Sequence, residues 1–153
     1  MADTTTTADL RTLGPGILTF KPTTSGASKS LSADVTKVQL SPNTSTDDPI
    51  DFLDGSQAMS TPVTTWELGF TIQDWYGAGS AAEWLFDHAG EEWKAEFTPV
   101  NVGTTGAPVT QWTMHVMIAP IAVGGDVKSR NTNDVTLTAT QVAHTSLTTE
   151  ATA

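Results

Sequence analysis

Residues 64–74 read TTWELGFTIQD, and this segment decides the fold class. Apolar and polar side chains alternate along it, and the apolar ones are Trp66, Leu68, Phe70 and Ile72. A period of two is typical of a β-strand that buries one face and exposes the other. The segment therefore predicts a half-buried strand, as found in antiparallel sheets.

The same alternation recurs in residues 91–98, 111–119 and 135–140, and shorter strand patterns occupy 17–20 and 35–40. One helix is predicted between them. Ser80 and Glu83 match the S-x-x-E capping box, and Gly90 supplies a stop after about two and a half turns. A helix this short depends on packing against a sheet for its stability.

These elements predict a mainly β fold: an antiparallel two-sheet β-sandwich or barrel with one short flanking α-helix. The length of 153 residues is that of a single domain. We expect flexible arms at about 1–13 and 141–153. We expect a long loop at about 41–60, because proline, asparagine, aspartate and serine are dense there.

The composition excludes several classes of function. Seventeen acidic residues against seven basic ones give a net charge of −10, which argues against binding of nucleic acid or anionic membranes by charge. There is no cysteine, so disulfides, thiolate nucleophiles and cysteine-ligated zinc are excluded. Threonine supplies 28 residues, which suits the solvated face of a sheet. We expect no signal peptide, because Asp3 and Asp9 stand where basic charge is needed and no apolar run of signal length follows. We expect no membrane insertion, because the longest apolar stretch, 116–123, is far too short.

No catalytic or cofactor site is predicted. Residues 77–82 match G-x-G-x-x-A before the helix, but the strand that follows alternates, whereas a dinucleotide-binding strand is buried on both faces. Glu92 and Glu96 are about 13 Å apart on one strand, too far for a glycosidase pair. No nucleophile motif occurs, so we expect no enzyme activity.

No metal site is predicted either. His88, His115 and His144 lack the spacing of metal ligands. The acidic segment with Asp47, Asp48, Asp51 and Asp54 departs from the calcium-loop pattern. Calcium there stays an open alternative to a solvated acidic loop.

The order of elements from about Leu13 to Thr140 resembles the major tail protein, or tail tube protein, of long-tailed non-contractile bacteriophages. The resemblance lies in the aromatic strand 64–74 ending in Gln-Asp, the capped helix 80–89, strands 91–98 and 111–119, Gly124-Gly125 and the strand 135–140. It implies two packed β-sheets flanked by a helix. It also implies hexameric rings stacked into a hollow tube that conducts the phage genome into the host.

The resemblance implies partners and a location as well. The chain would bind copies of itself, and the tape-measure, tail-tip and tail-terminator proteins would be further partners. DNA would pass without specific binding. Assembly would take place in the host cytoplasm, and the product would be part of the virion tail.

Two groups of residues are candidates for roles in such a tube. Glu67, Glu92 and Glu96 lie on the polar faces of their strands and are candidates for the lumen wall, where carboxylates repel DNA; solvation of an outer face is the alternative. The long loop 41–60 would reach a neighbouring ring or subunit. Its apolar residues Ile50, Phe52 and Leu53 are candidates for the contact between rings, or for a plug in the core under the loop.

Two other functions fit the sequence. One is a β-sandwich module that binds carbohydrate or protein, with Trp75 and Tyr76 as a surface platform. The other is a tail-terminator or head-decoration protein of the virion.

Overall fold

The computed structural model describes residues 11–101 and 108–148. In chain order the elements are β1 (Ile17–Pro22), β2 (Lys29–Ser30), β3 (Val35–Ser45), β4 (Ile50–Asp51), β5 (Gln57–Ala58), β6 (Val63–Gln73), α1 (Ala81–Asp87), β7 (Glu92–Thr98), β8 (Val109–Met117) and β9 (Thr132–Leu147). The fold is mainly β with one short helix, as the alternating segments predict.

Seven strands form one sheet in the order β2-β1-β7-β8-β9-β6-β3, and every neighbouring pair is antiparallel. The remaining strands, β4 and β5, pair with each other as a separate two-stranded sheet. The sheet curls so that β1 and β3, near its two edges, line the same cavity of about 290 Å³. The architecture is therefore closer to an open barrel than to two sheets of similar size.

One face of the large sheet holds the core, and we call it the inner face. Leu68, Phe70 and Ile72 of β6 are at most 2% exposed. Side chains of the other strands meet them at the same face: Leu18, Phe20, Trp93, Ala95, Phe97, Met114, Val116, Val135, Leu137 and Ala139. The period of two predicted these buried positions because each strand contributes alternate residues to one side.

Helix α1 covers part of the inner face. Its N-cap is Ser80, whose Oγ accepts a hydrogen bond from the Glu83 amide, and Glu83 Oε2 accepts one from the Gly79 amide. Leu85 is fully buried, and the Trp84 ring centroid lies 5.4 Å from that of Phe20. Packing on the sheet therefore supports the helix, as its length requires.

Strand β3 is longer than predicted. The predicted loop at 41–60 is wrong for residues 41–45, because these pair with β6 up to Ser45 and Val63. Pro42 and Asn43 suggested a turn, but proline is tolerated on an edge strand, and β3 ends the sheet. The connection between β3 and β6 is thus 46–62, and it contains the β4–β5 hairpin.

Strand β9 is also longer than predicted. The flexible arm expected at 141–153 is wrong for residues 141–147, because β9 continues to Leu147 and residues 143–147 pair with β8. Gln141 has a φ of 53°, and the register shifts between Thr113 and His115, so β9 contains a bulge. A bulge inserts one residue and breaks the period of two, which hides the rest of the strand from a pattern based on alternation. The last part of the expected arm, 149–153, lies outside the described residues, as does 1–10 of the N-terminal arm.

Candidate functional site

The three predicted lumen carboxylates lie on one side of the large sheet, opposite the inner face. We call this side the polar face. Glu67 is exposed and directly precedes the buried Leu68, and Glu92 and Glu96 alternate with the buried Trp93 and Phe97 in the same way. The sequence prediction that these three residues occupy the polar sides of their strands is confirmed.

Glu92 and Glu67 share one cross-strand row. Glu92 is opposite Met117 on β8, and Glu67 is opposite Thr138 on β9. Val116 pairs with Ala139, which places Met117 beside Thr138. Three strand spacings therefore separate the two glutamates, about 14 Å.

Two of the three carboxylates, Glu96 and Glu92, have a lysine or histidine side chain as a close partner. Glu96 Oε2 is 3.1 Å from Lys21 Nζ, Glu96 Oε1 is 3.9 Å from Lys94 Nζ, and the Glu96 side chain is only 12% exposed. Glu92 Oε1 is 2.8 Å from His115 Nδ1. Among the described residues, Glu67 has no cation within salt-bridge distance. Glu67 is therefore the most available negative charge of the three.

The polar face is close to neutral as a whole. Its strands carry four carboxylates and three lysines, namely Glu67, Glu92, Glu96, Asp134, Lys21, Lys37 and Lys94. Uncharged side chains fill much of the rest, including Thr136, Thr138 and Thr140 of β9. Most of the net charge of −10 consequently resides outside this face.

The β4–β5 hairpin projects the predicted apolar contact residues into solvent. Ile50 is 59% exposed, Phe52 is 51% exposed and Leu53 is fully exposed at 107%. The alternative that these residues plug the core under the loop is therefore wrong. We call this group the hairpin tip.

The acidic side chains of the hairpin stabilise its turn. Asp54 Oδ1 accepts hydrogen bonds from the Ser56 Oγ at 2.6 Å and the Ser56 amide at 2.9 Å. The hydrogen bond from the Ser56 hydroxyl, followed by that from the amide, lowers the pKa of Asp54. Asp51 Oδ1 accepts a hydrogen bond from Gln57 Nε2. Within residues 11–101 and 108–148 no three histidine or carboxylate side chains are grouped to hold a metal ion.

The histidines have separate environments. His88 follows α1, and its Nδ1 is 2.7 Å from Glu91 Oε2, which also accepts a hydrogen bond from Trp93 Nε1. The hydrogen bond from His88, followed by that from Trp93, lowers the pKa of Glu91. The His144 ring is tilted by 55° against that of Trp112, with centroids 5.3 Å apart. The structure does not bring the three histidines together.

A cleft of about 380 Å³ lies at the end of the sheet where β6 leads into α1. Its apolar lining comes from three parts of the chain, and we call it the aromatic cleft: Trp75, Tyr76, Phe86, Ile121 and Val123. Sequence analysis singled out only Trp75 and Tyr76. The others are separated from them by up to about fifty residues, so only the tertiary structure assembles the cleft.

Two aromatic side chains of the cleft, Trp75 and Tyr76, have contacts that orient them. Asn131 Nδ2 donates a hydrogen bond to the Tyr76 hydroxyl at 3.1 Å. The Trp75 ring lies against Gly77, at a position where a Cβ atom would collide with the ring. Residues 77–80 thus form a tight turn before a capped helix. The sequence analysis interpreted the G-x-G-x-x-A match in this way, and not as a dinucleotide site. Tyr76 and Phe86 remain 63% and 71% exposed.

Two cations lie on the loop beside this cleft, and sequence analysis did not single them out. Lys128 and Arg130 are exposed, and Asn131, which bonds Tyr76, follows directly. In the described part of the chain neither has a carboxylate within salt-bridge distance. The carboxylates nearest the cleft have local hydrogen-bond donors instead. Asp74 accepts a hydrogen bond from Asn133 Nδ2, and Glu83 accepts one from the Gly79 amide.

Among the described residues, no helix is long and apolar enough to cross a membrane.

Comparison of the chain with models of protein families found no match, and no curated protein is similar to it at a significant level. A functional proposal for this chain therefore depends on its own residues and geometry.

Proposed function

We propose that this chain is a tail tube protein of a long-tailed non-contractile phage. It assembles into hexameric rings that stack into a hollow tube for the genome. The observation that supports self-assembly is strand β3: it has 11 residues, ends the seven-stranded sheet, and has no strand on its outer side in the described part of the chain. An open edge of that length presents unpaired backbone groups to any strand of a second copy.

The opposite edge of the sheet is blunted. Strand β2 has only two residues there, and β1 behind it is six residues long. Pairing between unlike edges of two copies is a heterologous contact, and such contacts close into rings when the rotation between copies allows. A ring requires that contact between unlike edges, whereas pairing of two β3 edges would give a symmetric dimer.

The polar face suits the wall of a channel for DNA. The wall is rich in threonine, and two of its three lysines, Lys21 and Lys94, lie beside Glu96, so the duplex gains little from counterion release on contact. Lys37 is the polar-face lysine without a carboxylate within salt-bridge distance among the described residues. Glu67 and Glu92 add negative charge that repels phosphate within about 8 Å at physiological salt. In this proposal the polar face lines the lumen and α1 faces outward.

If the chain is a tail tube protein, its further partners and its location follow. Tape-measure, tail-tip and tail-terminator proteins would contact the tube, and the chain would be located in the virion after assembly in the host cytoplasm.

Electron microscopy of the purified chain tests self-assembly across a concentration and salt series, with sedimentation alongside. We expect rings or hollow tubes. Gln39→Lys adds a charge to the open edge strand, and Thr140→Lys adds the same charge to the same face in an interior strand. The first should weaken assembly, and the second should not. A chain that stays monomeric at every concentration would contradict the proposal.

A carbohydrate-binding module is the second candidate, and the aromatic cleft favours it. Trp75 and Tyr76 present exposed rings, of the kind on which sugars stack. A glycan screen on the same sample separates the two functions, because a module binds a glycan as a monomer.

A further inference from the structure

We propose that the aromatic cleft of one copy receives the hairpin tip of the next copy, so that copies dock head to tail along the tube axis. This inference deepens the proposed function, because it names the two surfaces that join successive rings. It commits to a second copy of this chain as the occupant of the cleft.

The two surfaces lie at opposite ends of the molecule. The hairpin precedes β6 and the cleft follows it, and β6 has 11 residues, a length of about 33 Å. The tip of one copy therefore cannot reach its own cleft. A molecule with a projecting apolar group at one end and a receiving surface at the other makes heterologous contacts that repeat without limit.

Both surfaces expose apolar side chains that could cover each other. Leu53 and Phe52 project from the hairpin with most of their surface in water. Removing such apolar surface from water is favourable in free energy. Phe86 and Val123 in the cleft are 71% and 68% exposed. Contact between tip and cleft would remove both apolar groups from solvent at once.

An acidic segment precedes the hairpin, and two cations lie on the loop beside the cleft. The hairpin carries Asp47 and Asp48 at its base, and both are exposed. Lys128 and Arg130 flank the cleft, and neither has an ion-pair partner among the described residues. The cleft carboxylates Asp74 and Glu83 keep their negative charge, because their hydrogen-bond donors are neutral, so attraction of the hairpin depends on Lys128 and Arg130.

Engineered cysteines test the contact directly, because the chain has no native cysteine. The full-length variant Leu53→Cys with Val123→Cys has one thiol at each surface. Treatment with a short bismaleimide should produce a ladder of covalent trimers and larger species. Each single variant can reach only a dimer. The control is Leu53→Cys with Met117→Cys, whose second thiol lies on the polar face; it should give no ladder.

A charge swap gives a second, independent measurement. Lys128→Glu with Arg130→Glu should reduce cross-linking about tenfold, and so should Asp47→Lys with Asp48→Lys. Combining all four substitutions should restore it, because the opposite charges again face each other. Loss in both pairs without recovery in the combination would overturn the assignment of these cations to the hairpin.

The outcomes separate this inference from the proposed function. Rings or tubes without the ladder would overturn the docking contact and leave the tube intact. The ladder in a solution without rings or tubes would support docking and contradict the tube. A monomeric chain without the ladder would overturn both. Glycan binding that is lost in Tyr76→Ala but unchanged in Leu53→Asp would assign the cleft to a carbohydrate and overturn docking.

Discussion

Glu96 and Lys21 form an ion pair across β7 and β1, with 3.1 Å between Glu96 Oε2 and Lys21 Nζ. Thr19 and Glu96 are opposite each other in the register, as are Lys21 and Lys94, so the pair is diagonal on the polar face. Glu96 is mostly covered by its neighbours, whereas Lys21 is 39% exposed. A carboxylate predicted to charge the lumen wall is therefore largely neutralised within its own subunit.

Replacing this carboxylate should have a small effect on stability. We expect Glu96→Gln to lower the free energy of unfolding by about 1 kcal/mol, because partly exposed ion pairs contribute little. Lys94→Gln should have a smaller effect, since Lys94 is 3.9 Å from Glu96. Urea unfolding followed by tryptophan fluorescence measures both. A loss from Glu96→Gln of several kcal/mol would mean that the pair is structurally essential.

Leu85 and Phe86 are neighbours in α1 with opposite environments, so they separate folding from docking. Leu85 is fully buried, and Leu85→Ala should lower the free energy of unfolding by about 2–5 kcal/mol through the cavity it leaves. Phe86 is 71% exposed, and Phe86→Ala should leave the stability within about 0.5 kcal/mol of the parent. The same Phe86→Ala chain should stack poorly. Unfolding curves and electron microscopy measure the two effects separately.

The N-cap of α1 should contribute measurably to the free energy of unfolding. Ser80→Ala removes the oxygen that accepts from the Glu83 amide, and we expect a loss of about 1 kcal/mol. Ser80→Asp keeps an acceptor at the same place and should retain most of the stability. Equal losses in the two variants would show that burial of Ser80, and not its hydrogen bond, is what matters.

Glu91 should make the protein less stable in acid. Its pKa is lowered in the folded state by hydrogen bonds from His88 and then Trp93, so the unfolded chain binds a proton more readily. The contribution of Glu91 is complete above its ordinary pKa of 4.5 and is lost as the pH falls through the lowered value. Glu91→Gln should therefore flatten the fall in stability below that pH relative to the parent, and an equally steep fall in both would contradict this prediction. Urea midpoints measured across this range give the comparison.

Charge reversal on the polar face tests whether it lines the channel. Glu67→Lys with Glu92→Lys should leave tube assembly intact but make the tubes retain DNA, with a retention that decreases steeply as salt rises. Asp87→Lys with Asp126→Lys makes the same change of charge away from that face. If both double variants deliver DNA as the parent does, the polar face does not line the lumen.

The sequence alone predicted most of the secondary structure where the pattern is strictly local. The buried residues of β6, β7 and the first half of β9 follow from alternation, since each strand sees the core on one side only. Ser80 and Glu83 predicted the start of α1 because a capping box acts within one turn. The prediction failed where a local signal was interrupted, at Pro42 in an edge strand and at the bulge of Gln141.

Some features of the candidate surfaces could also be predicted from the sequence, and others could not. The sequence left open whether Ile50, Phe52 and Leu53 project into solvent or plug the core, and the structure decided it. The polar position of Glu67 could be inferred from nearby residues. The ion pair of Lys21 with Glu96 and the meeting of Phe86 with Val123 could not, because strand order and helix docking bring distant segments together. The amino-acid sequence thus determined which side of each strand is apolar and where its one short helix begins. Only the tertiary structure decided which strands are edges and which charges are neutralised, because those outcomes depend on contacts between residues far apart in the chain.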